Sequence, residues 1–568
     1  MRREGEVVWM KFPGVTADGV ARRAALAAAA RIEATPTTLV EYHSAGTAIV
    51  IGPEGQARAA ADKLKERVHC AVLVSAWDGG QRGNGSDDGQ RLYYGEVRRI
   101  SGHLGAFNIA VAAADDEVNL AQLAFPGREG FDLVLDLSVP PLIRSEILPF
   151  GYYAPNGDTQ ALLRALDEIP TMVGEFEKPK FFQYDPDICA HGARGLKGCT
   201  RCTKICPAFA IASVGDKIEI DPYLCQGAGS CATACPTSAI TYAYPRLSDT
   251  LARVREMLKA YRDNGGRQAC LLIHDAEQGK ERLEELITTL PERVIPLQVA
   301  ELGSAGMDLW LAALAYGASQ VALLATDAVP LAVMKEVKAQ LNYAHTILAG
   351  MGYSGEQLIL VGESAGATVT DSLAEPPLDA EIRPAAFATF DEKRTTIRMA
   401  VDHLYEQAPQ RRAVVPLPAG APFGDVRVKQ DACTLCLGCV SVCPTRALTA
   451  GGESPQLNFH EPLCVQCGLC AAACPEGAVS LVPRYLYDPE QRRAARVLHE
   501  EPPFHCIACG KAFATRSVID RMTEKLKGHW MFQSQAALRR LQMCEDCRVR
   551  EMFGGEGDLS GRVQRRQP

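Results

Sequence analysis

The sequence predicts a multi-domain chain of mixed class, α/β plus α+β, in which α/β domains alternate with two small cysteine-rich modules. Three observations carry this. Short apolar strands alternate with helical stretches over residues 1–175 and again over 249–370. Tight cysteine runs fill residues 180–248 and 413–485. After its last Cys-Pro, each cysteine region returns in a short strand, AITYAYP or AVSLVP. A chain of 568 residues with 47% apolar side chains has material for several separate cores.

In chain order, residues 1–175 give helical stretches at Val20 to Ile32 and Gly55 to Arg67, with strands TAIVIG, AVLVSA, NIAVAA and DLVLDL. DGGQRGNGSDDGQ (78–90) has loop composition. No strand leads into a G-x-G-x-x-G turn, so no dinucleotide fingerprint is present. Over 249–370, ACLLIHD, RVIPLQV, QVALLAT and QLILVG read as strands between amphipathic helices. Residues 371–412 read as a linker, and 486–568 as a basic helical tail holding two C-x-x-C pairs. VGESAGA (361–367) matches a nucleophile elbow around Ser364. With no oxyanion loop before it and only a short α/β region around it, it reads as a glycine-rich turn.

The net charge of −8 argues against nucleic acid as the main partner. The arginines at 492, 493, 496, 539, 540, 548 and 550 read as solvated faces. MRREGEVVWMKF has neither an apolar core nor a cleavage site, so no signal peptide is expected. The most apolar run, Leu309 to Ala325, is broken by Gly317, Ser319 and Gln320 and reads as a buried helix and strand, not a membrane span. The expected setting is cytoplasmic. In a reducing compartment, 21 cysteines point to metal or catalysis, because disulfides are disfavoured there. All but Cys70 and Cys270 fall in clusters; those two precede apolar runs and read as buried structural thiols.

The second cysteine region is complete. CTLCLGCVSVCP (433–444) and CVQCGLCAAACP (464–475) are both C-x2-C-x2-C-x3-C-P, the run used for cubane iron–sulfur clusters. Three thiolates three residues apart let one loop wrap three corners of a cluster. The fourth starts a segment pointing away, and Pro444 and Pro475 help turn the chain. Crossing the fourth ligands puts one [4Fe–4S] cluster on Cys433, Cys436, Cys439 and Cys474, and another on Cys464, Cys467, Cys470 and Cys443.

The first region repeats this with two departures. An insertion separates Cys189 from Cys199, Cys202 and Cys206; and CQGAGSCATACP has Cys225, Cys231 and Cys235, with Ala228 where a middle cysteine belongs. Over about 70 residues each, the two modules resemble bacterial two-cluster ferredoxins. Crossing gives a third [4Fe–4S] set on Cys189, Cys199, Cys202 and Cys235. Only Cys206, Cys225 and Cys231 remain for the fourth centre. That resembles the seven-iron ferredoxins and implies a [3Fe–4S] cluster; the alternative is an incompletely ligated [4Fe–4S] cluster. His191, a loop residue expected to be solvated, is the candidate substitute ligand.

In the tail, FHCIACGKAF and MCEDC supply Cys506, Cys509, Cys544 and Cys547, a set that fits a closed tetrahedral zinc site. CGKAF resembles the start of a Cys2His2 finger, but no histidine pair follows. A further cluster or bare thiols are the alternatives.

Two wider resemblances bear on function. ELGSAGMDLWLAALAYGASQVALLA and ILAGMGYSGEQLILV are similar to the delta subunit of methyl-viologen-reducing hydrogenase. That family's segment carries cysteines, which implies here a scaffold without its metal centre. LDLSVPPL, GEFEKPKFFQYD, HWMF and MCEDC resemble iron–sulfur proteins associated with proteobacterial formate dehydrogenases. The expectation is an electron-transfer protein or subunit, without a catalytic residue of its own, passing single electrons to or from a partner oxidoreductase such as a dehydrogenase. The alternatives are a redox enzyme subunit with a substrate site in an α/β domain, and a scaffold that uses its clusters structurally.

Overall fold

The computed structural model describes residues 12, 14–76, 85–87, 90–113, 116–362, 368–377, 382–388, 391–452 and 454–553. Ser364 and most of the 78–90 segment lie outside them. The chain divides into two compact units, each described by itself. The first comprises Met1–Pro186, Thr200–Val214 and Ile218–Pro409; the second comprises Asp187–Cys199, Gly215–Lys217 and Gln410–Pro568.

In the first unit, a six-stranded sheet runs Tyr152–Tyr153, Leu133–Asp136, Thr47–Pro53, His69–Ala76, Gln90–Tyr94, Gly85–Asp87. All but the last are parallel to their neighbours. Thr47–Pro53 is buried at every position but the last because both faces are covered, which is why it reads as an unbroken apolar run. Helix Glu54–Leu64 lays Ala57, Ala60, Ala61 and Leu64 on one side, at the spacing of a single helical face. Ile49, Ile51, Leu73, Phe107 and Phe131 form the core on the other. Gly85–Asp87 is a strand where composition suggested only loop, paired antiparallel with Gln90–Tyr94.

The second sheet of this unit runs Val294–Gln298, Cys270–His274, Gln320–Leu324, Leu358–Val361, all parallel. Helix Met307–Ala315 is buried at every position. With strand Gln320–Leu324 it accounts for the apolar run that opens at Leu309. No described helix is long and apolar enough to cross a membrane. Cys270 is fully buried in the sheet, and burial pushes its thiol up to about 12, as expected of a structural cysteine.

Two segments differ from the sequence reading. Helix Ala17–Ala29, read with the N-terminal domain, packs on Leu247–Asp263 beside the second sheet. Glu292 accepts from the Val15 and Thr16 amides at 3.0 and 2.8 Å, and the Tyr261 hydroxyl donates to Asp18 at 2.7 Å. The stretch read as a linker, 371–412, contains helix Lys393–Glu406. Its Thr396, Ile397, Ala400, Val401 and Leu404 are buried against Met307–Ala315.

The second unit builds a three-stranded antiparallel sheet, Val414–Pro416, Val479–Leu486, Gly424–Val428, and a second one, Leu448–Ala450, Gln456–Phe459, Arg496–Glu500. The insertion in the first cysteine run is a hairpin, Gly192–Ala193 with Leu196–Lys197. Arg194 and Gly195 both have positive φ at its tip, the conformation that a two-residue turn of matching twist requires.

Candidate metal centres

The cysteine loops share a backbone signature. In the second module the residues flanking the middle cysteine are left-handed: Leu435 and Leu437 around Cys436, and Gln466 and Gly468 around Cys467. Such alternation turns successive amides towards one centre and makes a concavity suited to an anionic group. In the first module Gly227 and Gly229 are left-handed in the same way, with Ala228 between them. The loop therefore keeps the conformation of an intact run and lacks only the sulfur. A Cβ on Gly229 would lie 2.5 Å from Ser304 Cα, so the loop tolerates no side chain there.

A second signature escaped the sequence reading. The third residue after each fourth-position cysteine is left-handed: Phe209, Ser238, Arg446 and Gly477. Behind that turn, the amides of Ala210, Ile240 and Ala478 donate to the sulfurs of Cys206, Cys235 and Cys474 at 3.3, 3.4 and 3.3 Å. N–H donors aimed at sulfur are among the groups that tune an iron–sulfur centre.

The thiols converge in sets. Burial and then the thiols of Cys433, Cys436 and Cys474 push Cys439 up to about 12. Cys470 is pushed up by burial and then by Cys464, Cys467 and Cys443. In the first unit Cys231 is raised by burial, then by Cys225 and Cys206, with Cys202 and Cys235 behind them. Buried anionic sulfurs at such spacing repel one another, so these sets suit either neutral thiols or thiolates around a cationic core. Cys439, Cys464 and Cys470 also belong to a hydrophobic cluster with Leu448, Leu457 and Phe459. Cys189 and Cys199 lie in the second unit, and Cys202 and Cys235 in the first. Within the second unit, Cys199 is near enough to act on Cys467, which burial chiefly pushes up to about 11. The neighbouring Gly198 faces Leu469, whose Cγ would lie 2.7 Å from an added Cβ. His191, expected in solvent, is only 5% exposed, and its Nδ1–H donates to the Cys199 carbonyl at 3.0 Å.

A buried ion-pair network holds the loop that begins at Cys464. Arg484 bonds Glu461 at 2.9 Å through Nε and Asp425 at 3.1 Å, while Arg496 bonds both acids as well. Asp425 and Glu461 are 4% and 8% exposed, so removing one arginine leaves two buried carboxylates sharing a single cation. Arg484→Met is expected to destabilise the second unit by roughly 3 kcal/mol. The check is an earlier midpoint in urea, followed by loss of visible absorbance.

In the tail, all four sulfurs of Cys506, Cys509, Cys544 and Cys547 lie within 4.8 Å of one another. Cys506 and Cys509 form a knuckle closed by the Cys506 amide on the Lys511 carbonyl at 2.8 Å. Cys544 and Cys547 flank the start of helix Glu545–Phe553. Cys509 Sγ to Cys544 Sγ is 3.7 Å. A tetrahedron with metal–sulfur bonds of about 2.3 Å has edges of about 3.8 Å, so a single ion fits. A cubane would spread the four thiolates over four separate irons.

At the carboxyl ends of the second sheet's strands lies a cavity of about 740 Å³, lined by Gln226 and by Asp275, Glu277, Glu301 and Asp327 among others. Burial, then Asp275 and Glu277, push the Glu301 carboxyl up to about 7. The folded state thus holds a proton that the unfolded chain has released by about pH 4.5. Stability is therefore lost as pH rises from there through 7, by about 3 kcal/mol. Glu301→Gln is expected to remove this loss. Its gain in thermal midpoint over wild type should widen from pH 5.5 to pH 8.

Comparison with known proteins adds two domain matches. The 4Fe-4S dicluster domain matches residues 432–478. A second 4Fe-4S dicluster domain family matches residues 182–237. The chain carries two such domains, which support an iron–sulfur, ferredoxin-like reading with an electron-transfer role. It is also similar to hydrogenase-4 component A of Escherichia coli (strain K12), with 48% identity over 42 residues. That match covers 7% of this chain and 20% of the relative.

Proposed function

We propose that this chain is a cytoplasmic relay passing single electrons to or from a partner oxidoreductase, a formate dehydrogenase being the class its sequence resembles. Iron–sulfur clusters supply one-electron storage at potentials set by their ligands, by hydrogen bonds to sulfur and by burial. The residues that would hold them are the three four-cysteine sets for [4Fe–4S] clusters, and Cys206, Cys225 and Cys231 for a [3Fe–4S] or open-cornered cluster. The similarity to a hydrogenase component supports a redox partner.

The observation that carries the relay reading is the approach of Cys199, from the first cysteine region, to Cys467 of the second. Both residues lie in the second unit, and their approach supports electron exchange between the centres they serve. The test is an EPR-monitored titration of the full chain with dithionite. Reversible reduction, with spin coupling between the centres served by Cys199 and Cys467, is expected. Centres that cannot be reduced would favour the scaffold reading.

The tail reads best as a structural zinc site, whose binding energy would fold a segment lacking a large core. About one zinc per chain is expected in the full protein. Cys544→Ser should lose it and leave iron unchanged. Iron with sulfide at this site would refute zinc.

A second reading, a subunit with its own substrate site, is favoured by the cavity at the carboxyl ends of the second sheet, where open α/β sheets bind ligands. If that reading holds, Asp275→Asn changes turnover with the partner and leaves the midpoints alone.

A further inference from the structure

Lys393 opens the helix Lys393–Glu406, 158 residues beyond Cys235 of the first cysteine module. Its ammonium has three donors, and each meets a backbone carbonyl of one short stretch: Ala232 at 2.8 Å, Thr233 at 2.9 Å, and Cys235. These carbonyls close the helix Ser230–Ala234, which carries Cys231 and ends on Cys235. The last carbonyls of a helix have no partner within it, and they carry its negative end. A generic C-cap would use a neighbouring side chain or water. Here the cap is a cation from a distant helix, fixed at three points on the residues around one cysteine ligand.

We propose, resting on the cluster reading above, that Lys393 is a positioning residue that raises the reduction potential of the centre served by Cys235. Reduction adds one electron to that centre, and a fixed positive charge nearby stabilises the more negative state. The effect is strong where water is scarce. Burial pulls the ammonium below the ordinary lysine range, while Cys235, Asp308 and Glu336 act to keep it charged. Asp308 is 5% exposed and is the first carboxylate acting on that ammonium. Its carboxyl is raised by burial, with Lys393 the first group acting to lower it. An ionised Asp308 beside Lys393 would act on the centre with the opposite sign.

The test uses the full chain, with iron and sulfide assays and EPR-monitored redox titration of wild type, Lys393→Met, Lys393→Arg and Asp308→Asn. With iron content unchanged, the midpoint of the centre served by Cys235 is expected to fall in Lys393→Met. It should stay near wild type in Lys393→Arg and rise in Asp308→Asn. The centre on Cys433, Cys436, Cys439 and Cys474 should not move and serves as the internal reference. A purely structural role would shift Lys393→Met and Asp308→Asn in the same direction or lose iron in both. Either result, or unmoved midpoints in loaded protein, overturns the proposal. Should Lys393→Met alone lose iron, Asp308→Asn decides: a rise supports the proposal, and no rise overturns it. Wild type without a centre at Cys235 would instead overturn the cluster reading itself, and the proposal with it.

Discussion

Serine in place of Cys467 is expected to cost the chain about one four-iron cluster, as a lost thiolate corner implies. Cys467 lies between left-handed Gln466 and Gly468, at the centre of the second loop. Its sulfur belongs with those of Cys464 and Cys443. The expected loss exceeds one ligand's worth, because the cysteines also line the core. Cys464 and Cys470 are buried with Val426, Leu448, Leu457 and Phe459. Emptying the site leaves these apolar groups around a void, and a module this small has little other core to hold it. Iron, sulfide and visible absorbance should fall together, and the second unit should unfold at lower urea. The same variant removes a sulfur on which Cys199 acts, so any spin coupling attributed to that approach should vanish. Unchanged metal content and absorbance would sink the assignment.

The cysteine modules were legible because their chemistry is local. Spacing of three residues within one loop dictates which sulfurs share a corner, and Ala228 stands out against that spacing. The left-handed turn after each Cys-Pro was not legible, since Phe209, Ser238 and Arg446 give no glycine signal there. Nor were the tethers. Lys393 reaches Cys235 across 158 residues, and no periodicity marks that pairing. Arg484 holds Glu461 from a strand of its own. The buried helix Lys393–Glu406 is different: Ile397, Ala400, Val401 and Leu404 follow helical spacing, but the Pro-rich stretch before them drew the whole segment into a linker. Helix Ala17–Ala29 went to the wrong layer because chain order was taken as a guide to packing, whereas Glu292 and Tyr261 hold it beside the second sheet.

Cysteine in place of Ala228 is expected to add about one iron and to abolish the paramagnetism of the oxidised first module. Alanine has no donor atom, so an iron at that corner would be held only by sulfide and solvent and is readily lost in air. The structure makes the substitution a clean one. Gly227 and Gly229 already hold the left-handed conformations that flank Cys467 in the intact loop. The Tyr242 hydroxyl anchors the Gly227 carbonyl at 2.7 Å, and Lys178 anchors the Cys225 carbonyl at 2.7 Å. Gly303 lies so close that an added Cβ would be 2.4 Å from the Ala228 carbonyl, which fixes the loop from its outer side. A new sulfur therefore enters a loop whose backbone already has the turn of the intact run. An oxidised three-iron cluster is paramagnetic and an oxidised low-potential cubane is not, so EPR separates the two without any partner protein. Wild type prepared in air should show the signal, and Ala228→Cys should lose it while iron per chain rises. A silent oxidised wild type, with no iron gained in the variant, would mean that another group completes the corner, and the three-iron assignment would fall.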